Sequence, residues 1–71
     1  MSDDRGYVVV RPDGTVMWDG GTSSVKVRAW MGGQRVEGLK RIGGRVSLAQ
    51  LKREGYTLRR CRVEEEEHER L

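Results

Sequence analysis

Hydrophobic and polar positions alternate most regularly along residues 25–38, VKVRAWMGGQRVEG. Two alternating runs separated by a Gly-Gly pair are typical of a β-hairpin, because the two-residue turns of hairpins require positive φ angles. With Gly32 and Gly33 as the loop, Trp30 lies opposite Arg35, and directly opposed residues share a face. The pattern therefore predicts a polar face and an apolar face, the latter formed by Val25, Val27, Ala29, Met31 and Val36.

An earlier stretch, YVVVRPDGTVMW at residues 7–18, predicts another hairpin. Pro12 presets φ for a turn, Asp13 can bond the backbone of its own turn, and Gly14 tolerates the left-handed conformation. With these three residues as the loop, Val10 faces Val16. The predicted core residues are Val8, Val10, Val16 and Trp18, whereas Tyr7, Val9 and Met17 lie on the opposite face.

A short helix is marked at both of its ends. Ser47 is a good N-cap, and Gln50 three residues later completes a capping box. Gly55 stands where a left-handed residue closes a helix. We therefore predict about two helical turns between Ser47 and Gly55, with Leu48 and Leu51 buried.

The segment after this helix, residues 56–63, is predicted to return to the sheet as an edge strand with solvated arginines. The alternative is a second helix that continues through the glutamate-rich residues 64–71. We prefer the strand. The fold class is then α+β: two hairpins and a last strand form a small, strongly bent antiparallel sheet, which could close into a barrel, with one short helix before the last strand.

The length of 71 residues is that of one small domain with a modest core. No apolar run approaches the roughly 20 residues that span a bilayer, so we expect no membrane partner. The first residues, MSDDRG, are unlike a signal peptide, and a single cysteine excludes an internal disulfide. We expect the protein to be cytoplasmic.

Charge is strongly segregated along the chain, although the net charge is only +3. Residues 26–62 contain eleven Lys or Arg and two Glu, whereas residues 64–71 contain five Glu and one Arg. We therefore divide the chain into a basic domain, residues 1–63, and an acidic C-terminal tail, residues 64–71. A basic domain favours an anionic partner.

Residues with catalytic or metal-binding chemistry are few. His68 is the only histidine and Cys61 the only cysteine, and neither has a partner at ligand or catalytic spacing. The stretch KRIGGRVS before the helix matches neither phosphate-binding glycine pattern. We therefore predict a protein that is not an enzyme and that holds no metal or cofactor.

The basic residues instead predict a binding surface. Arginines beside an exposed aromatic ring are typical of nucleic-acid-binding sheets, because the cations neutralise phosphates and the ring stacks on a base. An ordinary Arg28–Glu37 ion pair and an ordinary Trp30–Arg35 cation–π pair would explain part of this face without any ligand. The candidate nucleic-acid-binding residues are Lys26, Arg28, Trp30, Arg35, Lys40, Arg41, Arg45, Arg59, Arg60 and Arg62.

Two other functions fit the same pattern. One is an adaptor or inhibitor, of the kind carried by phages and other mobile elements, that docks its basic face on an acidic protein. The other is a small structural subunit, as a homodimer or in a larger assembly, because edge strands invite pairing with another chain. No motif resembles a known protein family.

Overall fold

The computed structural model describes residues 5–62 as one three-stranded sheet and two helices. In chain order the elements are β1 (Gly6–Val10), β2 (Thr22–Ser23), α1 (Lys26–Leu39), α2 (Leu48–Glu54) and β3 (Thr57–Cys61). The predicted α+β class and the short helix before the last strand are confirmed. The predictions on the acidic tail and His68 lie outside the described residues.

The sheet has the order β2-β1-β3, and both pairings are antiparallel. β3 pairs with the whole of β1, from Gly6 opposite Cys61 to Val10 opposite Thr57. The predicted last strand at an edge is therefore confirmed. Among the described residues β2 and β3 do not meet, so the sheet is open and is not a barrel.

The turn of the first predicted hairpin has the expected geometry. The Asp13 carboxylate accepts hydrogen bonds from the Thr15 backbone N–H at 3.0 Å and from the Thr15 hydroxyl at 2.7 Å. Gly14 has a φ of 93°, and Val10 lies opposite Val16 as predicted. Asp13 and Gly14 thus do what their residue types suggest, and local chemistry determines this turn.

The return strand of this hairpin is shorter than predicted. The Gly21 backbone N–H donates to Met17 O at 3.0 Å, so the chain turns away directly after the bridge at Val16. The face prediction was therefore wrong at Trp18, which is 58% exposed, whereas Val9 and Met17 on the opposite face are fully buried. Val8 is buried as predicted, and Val10 and Val16 are half-buried.

The predicted hairpin at residues 25–38 was wrong, because α1 occupies this stretch. The buried residues Ala29, Gly33 and Glu37 are four positions apart, which places them on one face of the helix. Gly32 and Gly33 form no turn. They let the helix pack closely: a Cβ at Gly32 would lie 2.0 Å from the Gly20 carbonyl oxygen.

The core lies between the sheet and the helices. Val9, Met17, Leu51 and Tyr56 form its buried centre, and Trp30, Val36, Val46 and Leu58 pack against it. Of the apolar face predicted for residues 25–38, only Ala29 is buried and Val36 partly so. The other three residues of that face are exposed: Val27 and Met31 on α1, and Val25 directly before it.

α2 has both of its predicted ends. The Ser47 hydroxyl accepts a hydrogen bond from the Gln50 backbone N–H at 3.1 Å, and Gly55 closes the helix with a φ of 107°. The Tyr56 backbone N–H then returns to Leu51 O at 3.1 Å. Leu51 is fully buried and Leu48 half-buried. In residues 5–62, neither helix is long and apolar enough to cross a membrane.

Candidate functional site

The predicted polar face of residues 25–38 is divided by the helix. Arg28 and Arg35 are seven residues apart, so they share the solvent side of α1, and both are exposed. Trp30 lies on another side, half-buried against the core, with the Lys52 ammonium 5.3 Å from its ring centroid. Lys26 likewise lies over the Tyr7 ring at 5.5 Å. The ring of Trp30 is therefore partly covered by the core and by Lys52.

Arg41 has a structural partner. Its guanidinium donates two hydrogen bonds of 2.7 Å to the Glu54 carboxylate and one of 3.4 Å to the Tyr56 hydroxyl. The hydrogen bonds from Arg41 and then from Gln50 lower the pKa of Glu54 to about 2. Arg41 therefore fastens the connection between α1 and α2 to the end of α2.

Glu37 is a buried carboxylate with three donors. It accepts hydrogen bonds from the Tyr56 hydroxyl, from Arg11 Nε at 3.2 Å and from Lys40 Nζ at 3.1 Å. Burial alone would raise the pKa of Glu37, but the hydrogen bonds from Tyr56, Lys40 and Arg11 outweigh it, and the pKa is lowered. Burial and then the neighbouring Glu37 raise the pKa of Tyr56.

This polar cluster is closed to a substrate. Glu37 is 5% and Tyr56 7% exposed, so neither offers a surface to a ligand of any size. Cys61 is also buried. In the part of the chain that the structure describes, no three His, Cys, Asp or Glu side chains are grouped as metal ligands would be.

An open groove of about 590 Å³ lies between α1 and the segment that leads into α2. Its lining residues are Met31, Gln34, Arg35, Gly44, Arg45, Val46 and Ser47. The Gln34 side-chain amide donates to Val46 O at 2.9 Å and so fixes the two walls to each other. Arg35 and Arg45 are exposed, and neither forms an ion pair with any residue in 5–62.

Arg28, Arg35 and Arg45 are therefore the candidate cations that the structure brings together, and we call them the basic surface. Arg28 and Arg35 share a helix face, while Arg35 and Arg45 line the same groove. The sequence pattern did not predict Met31, Gln34 and Val46 as site residues, although they line the groove beside these arginines. Had the four-residue spacing of Val27, Met31, Arg35 and Leu39 been interpreted as one helix face, Met31 would have been placed there.

The arginines of β3 lie elsewhere. Arg59 is exposed and stands opposite Val8 in the sheet, on the face that points away from the core residue Val9. Arg60 and Arg62 are exposed too, and both have interactions of their own. These three residues do not belong to the groove.

Comparison of the chain with protein-family models, with curated proteins and with solved structures finds no match. The fold alone therefore defines the class: a small α+β domain with an open sheet.

Proposed function

We propose that the protein is a small non-enzymatic module that binds nucleic acid through its phosphates, with the basic surface as the main contact. The observation that carries this proposal is an imbalance of charge. Residues 5–62 hold thirteen Lys or Arg and four Asp or Glu. Each of these four carboxylates already has a partner, yet Arg28, Arg35 and Arg45 have none among the same residues.

The four carboxylates are all accounted for by local structure. Asp13 accepts hydrogen bonds from Thr15, and Asp19 lies 3.7 Å from the Arg11 guanidinium. Glu37 holds Arg11 and Lys40, and Glu54 holds Arg41. The charges of Arg28, Arg35 and Arg45 are therefore not neutralised by a carboxylate of residues 5–62, and their field acts on whatever approaches the basic surface.

The guanidinium group suits phosphate recognition. Its planar fork can donate two parallel hydrogen bonds to one phosphate, and it stays charged at every physiological pH. Arg28 and Arg35 are separated by about 10 Å along the helix axis, since each residue rises by about 1.5 Å. They would thus contact different phosphates of one strand, and such contacts confer affinity without sequence preference.

A second candidate function is supported by a different observation. Val27, Met31 and Leu39 on α1 are 56%, 53% and 74% exposed beside Arg28 and Arg35. Methionine and arginine are both enriched at protein–protein interfaces. An adaptor of the phage or mobile-element type that docks on an acidic protein is therefore the competing proposal. Both proposals include a cytoplasmic location and no membrane partner.

The test is a salt titration of nucleic-acid binding. Affinity for a labelled oligonucleotide should fall linearly with salt on logarithmic axes, because condensed counterions are released. Replacing Arg28, Arg35 or Arg45 singly with glutamine should reduce the slope by about one contact each. Arg53→Gln is the matched control, because Arg53 is exposed on α2 outside the groove.

The outcomes separate the two candidates. If all three variants keep the wild-type slope of affinity against salt, the basic surface is not the contact for nucleic acid. Absence of any binding at low salt would reject the nucleic-acid proposal altogether, and a pull-down from cytosol with and without nuclease would then test the protein partner.

A further inference from the structure

We propose that the groove between α1 and residues 44–47 receives an unstacked nucleobase, so that the protein prefers single-stranded nucleic acid over duplex. This inference rests on the proposed function and names its substrate class. It is drawn from the combination of an apolar floor, flanking cations and one available acceptor in the same groove.

The floor is apolar and accessible. Met31 is 53% exposed on α1, and Val46, a partly buried residue that packs on the core, lines the same groove. The polarizable thioether of methionine makes favourable contacts with aromatic rings. The groove volume, about 590 Å³, falls within the range of small-ligand sites, which is roughly 300–1,000 Å³.

The walls provide charge on two sides of this floor. Arg35 extends from α1 and Arg45 from the opposite segment, so a strand lying across the groove passes between two guanidinium groups. A base on the floor is attached to phosphates in both chain directions. Such an arrangement neutralises the backbone on either side of a bound base, as single-strand-binding grooves do.

Gln34 adds a polar contact at the edge of the groove. Its amide nitrogen donates a hydrogen bond to Val46 O at 2.9 Å. Its carbonyl oxygen has no hydrogen-bond donor among residues 5–62, and it can therefore accept from an exocyclic amine of a base. Every unpaired base carries at least one N–H donor, on an exocyclic amine or, in thymine and uracil, on the ring, so Gln34 adds a polar contact without selecting one base.

Duplex fits this groove poorly. A paired base shows only its edge in either groove of the duplex, and its flat faces are covered by its neighbours. The floor of Met31 and Val46 can be covered by an exposed flat face, which a paired base does not offer. Trp30, the aromatic residue of α1, is half-buried under Lys52 and does not line this groove.

The test compares single strand and duplex of one sequence, about 16 nucleotides long, by fluorescence anisotropy at about 50 mM salt. The full-length wild type should bind the single strand more tightly. Met31→Gln should weaken single-strand binding by up to about tenfold, as expected for the loss of one thioether–ring contact, and change duplex binding little. Val27→Gln is the matched control, because Val27 is equally exposed on α1 but does not line the groove.

Four results would overturn the inference. Equal binding of single strand and duplex, or equal effects of Met31→Gln and Val27→Gln, would reject the base pocket while the phosphate-binding proposal stands. Failure to bind any oligonucleotide would reject both. Binding of an acidic amphipathic peptide that depends on Met31, with no oligonucleotide binding, would assign the groove to a protein partner. Thermal melts of each variant establish that it is folded.

Discussion

Glu37 is the residue through which the two ends of the fold are connected. It lies on the buried face of α1 and accepts hydrogen bonds from Arg11, which follows β1, and from Tyr56, which precedes β3. A buried carboxylate is costly unless it is paired and hydrogen-bonded. Its three hydrogen-bond donors satisfy that condition. The position of α1 therefore depends on the negative charge of Glu37.

Acid should therefore destabilise the protein, in part through Glu37. Its pKa is lowered in the folded state from an ordinary value of 4.5, and that of Glu54 is lowered to about 2. A depressed folded-state pKa gives stability that is fully present above the unfolded value and is lost as pH falls through the folded one. Urea unfolding should show this loss below about pH 4.5 and down to about pH 2.

The contribution of Glu37 is tested by Glu37→Gln. At pH 7 the variant should lose about 2 kcal/mol of unfolding free energy, the usual value for a hydrogen bond to a charged group. Its loss of stability below pH 4.5 should be shallower than that of the wild type. Tyr56→Phe removes one donor but keeps the carboxylate, so this variant should still lose stability as the pH falls. Equal pH profiles of wild type and Glu37→Gln would contradict this account.

At the scale of elements, the sequence predicted what short-range chemistry decides. The Asp13-Gly14 turn, the Ser47 cap and the Gly55 terminus each depend on residues within a few positions of one another, and all three are confirmed. α1 was missed because its buried positions Ala29, Gly33 and Glu37 carry no large apolar side chain. Without that signal, the alternation of valines and the Gly-Gly pair favoured a hairpin.

The site was only partly predictable for the same reason. Arg28, Arg35 and Arg45 were identified from charge, but the groove forms only when α1 packs beside residues 44–47. That packing depends on contacts between residues far apart in the chain, such as Gln34 with Val46. A wrong secondary structure for residues 25–38 therefore placed Met31 in the core, although it lines the groove.

The close packing of α1 is tested by Gly32→Ala. Alanine normally stabilises a helix interior by about 1 kcal/mol relative to glycine. Here its Cβ would lie 2.0 Å from the Gly20 carbonyl oxygen, so backbone must move, and we expect a net loss of about 2–3 kcal/mol.

Gly33→Ala is the graded control for this prediction. Its Cβ would meet a methyl group of Val9 at 3.1 Å, a contact that can relax by a few tenths of an ångström, so the loss should be smaller. Denaturant unfolding measures both variants. A Gly32→Ala protein as stable as the wild type would show that the helix does not approach the loop this closely.

The start of α2 is tested by Ser47→Ala. Removing the hydroxyl leaves the Gln50 backbone N–H without its 3.1 Å acceptor and should cost about 1 kcal/mol. Ser24→Ala is the matched control, because Ser24 is exposed and its side chain makes no hydrogen bond with residues 5–62. Chemical denaturation should show a loss in the first variant alone, and equal stabilities would contradict the assigned cap.

At the scale of the whole molecule, the dominant property is the opposition between a basic domain and an acidic tail. The chain carries a net charge of +3. This is the sum of +7 on residues 1–63 and −4 on the tail, which has five Glu and one Arg. Long-range fields act on encounter rates with charged partners and are screened by salt over about 10 Å. The tail should therefore moderate attraction to any polyanion.

Removing residues 64–71 should tighten binding to nucleic acid at low salt and have little effect at high salt. A full-length variant with glutamine at residues 64–67 raises the net charge by the same four units, so it should reproduce the effect without shortening the chain. Anisotropy titrations at two salt concentrations measure both. Unchanged affinity in both variants would show that the tail charge does not reach the binding surface.

The pairing of β1 with β3 has a consequence for synthesis of the protein on the ribosome. Gly6 pairs with Cys61. Almost the entire domain must therefore be translated before the second neighbour of the central strand β1 exists. Until then the run Val8-Val9-Val10 presents an unpaired edge of high β propensity, the kind of segment that associates with other chains. Ribosome-bound chains stalled before residue 57 should for this reason be recognised by chaperones, whereas the released full-length chain should not.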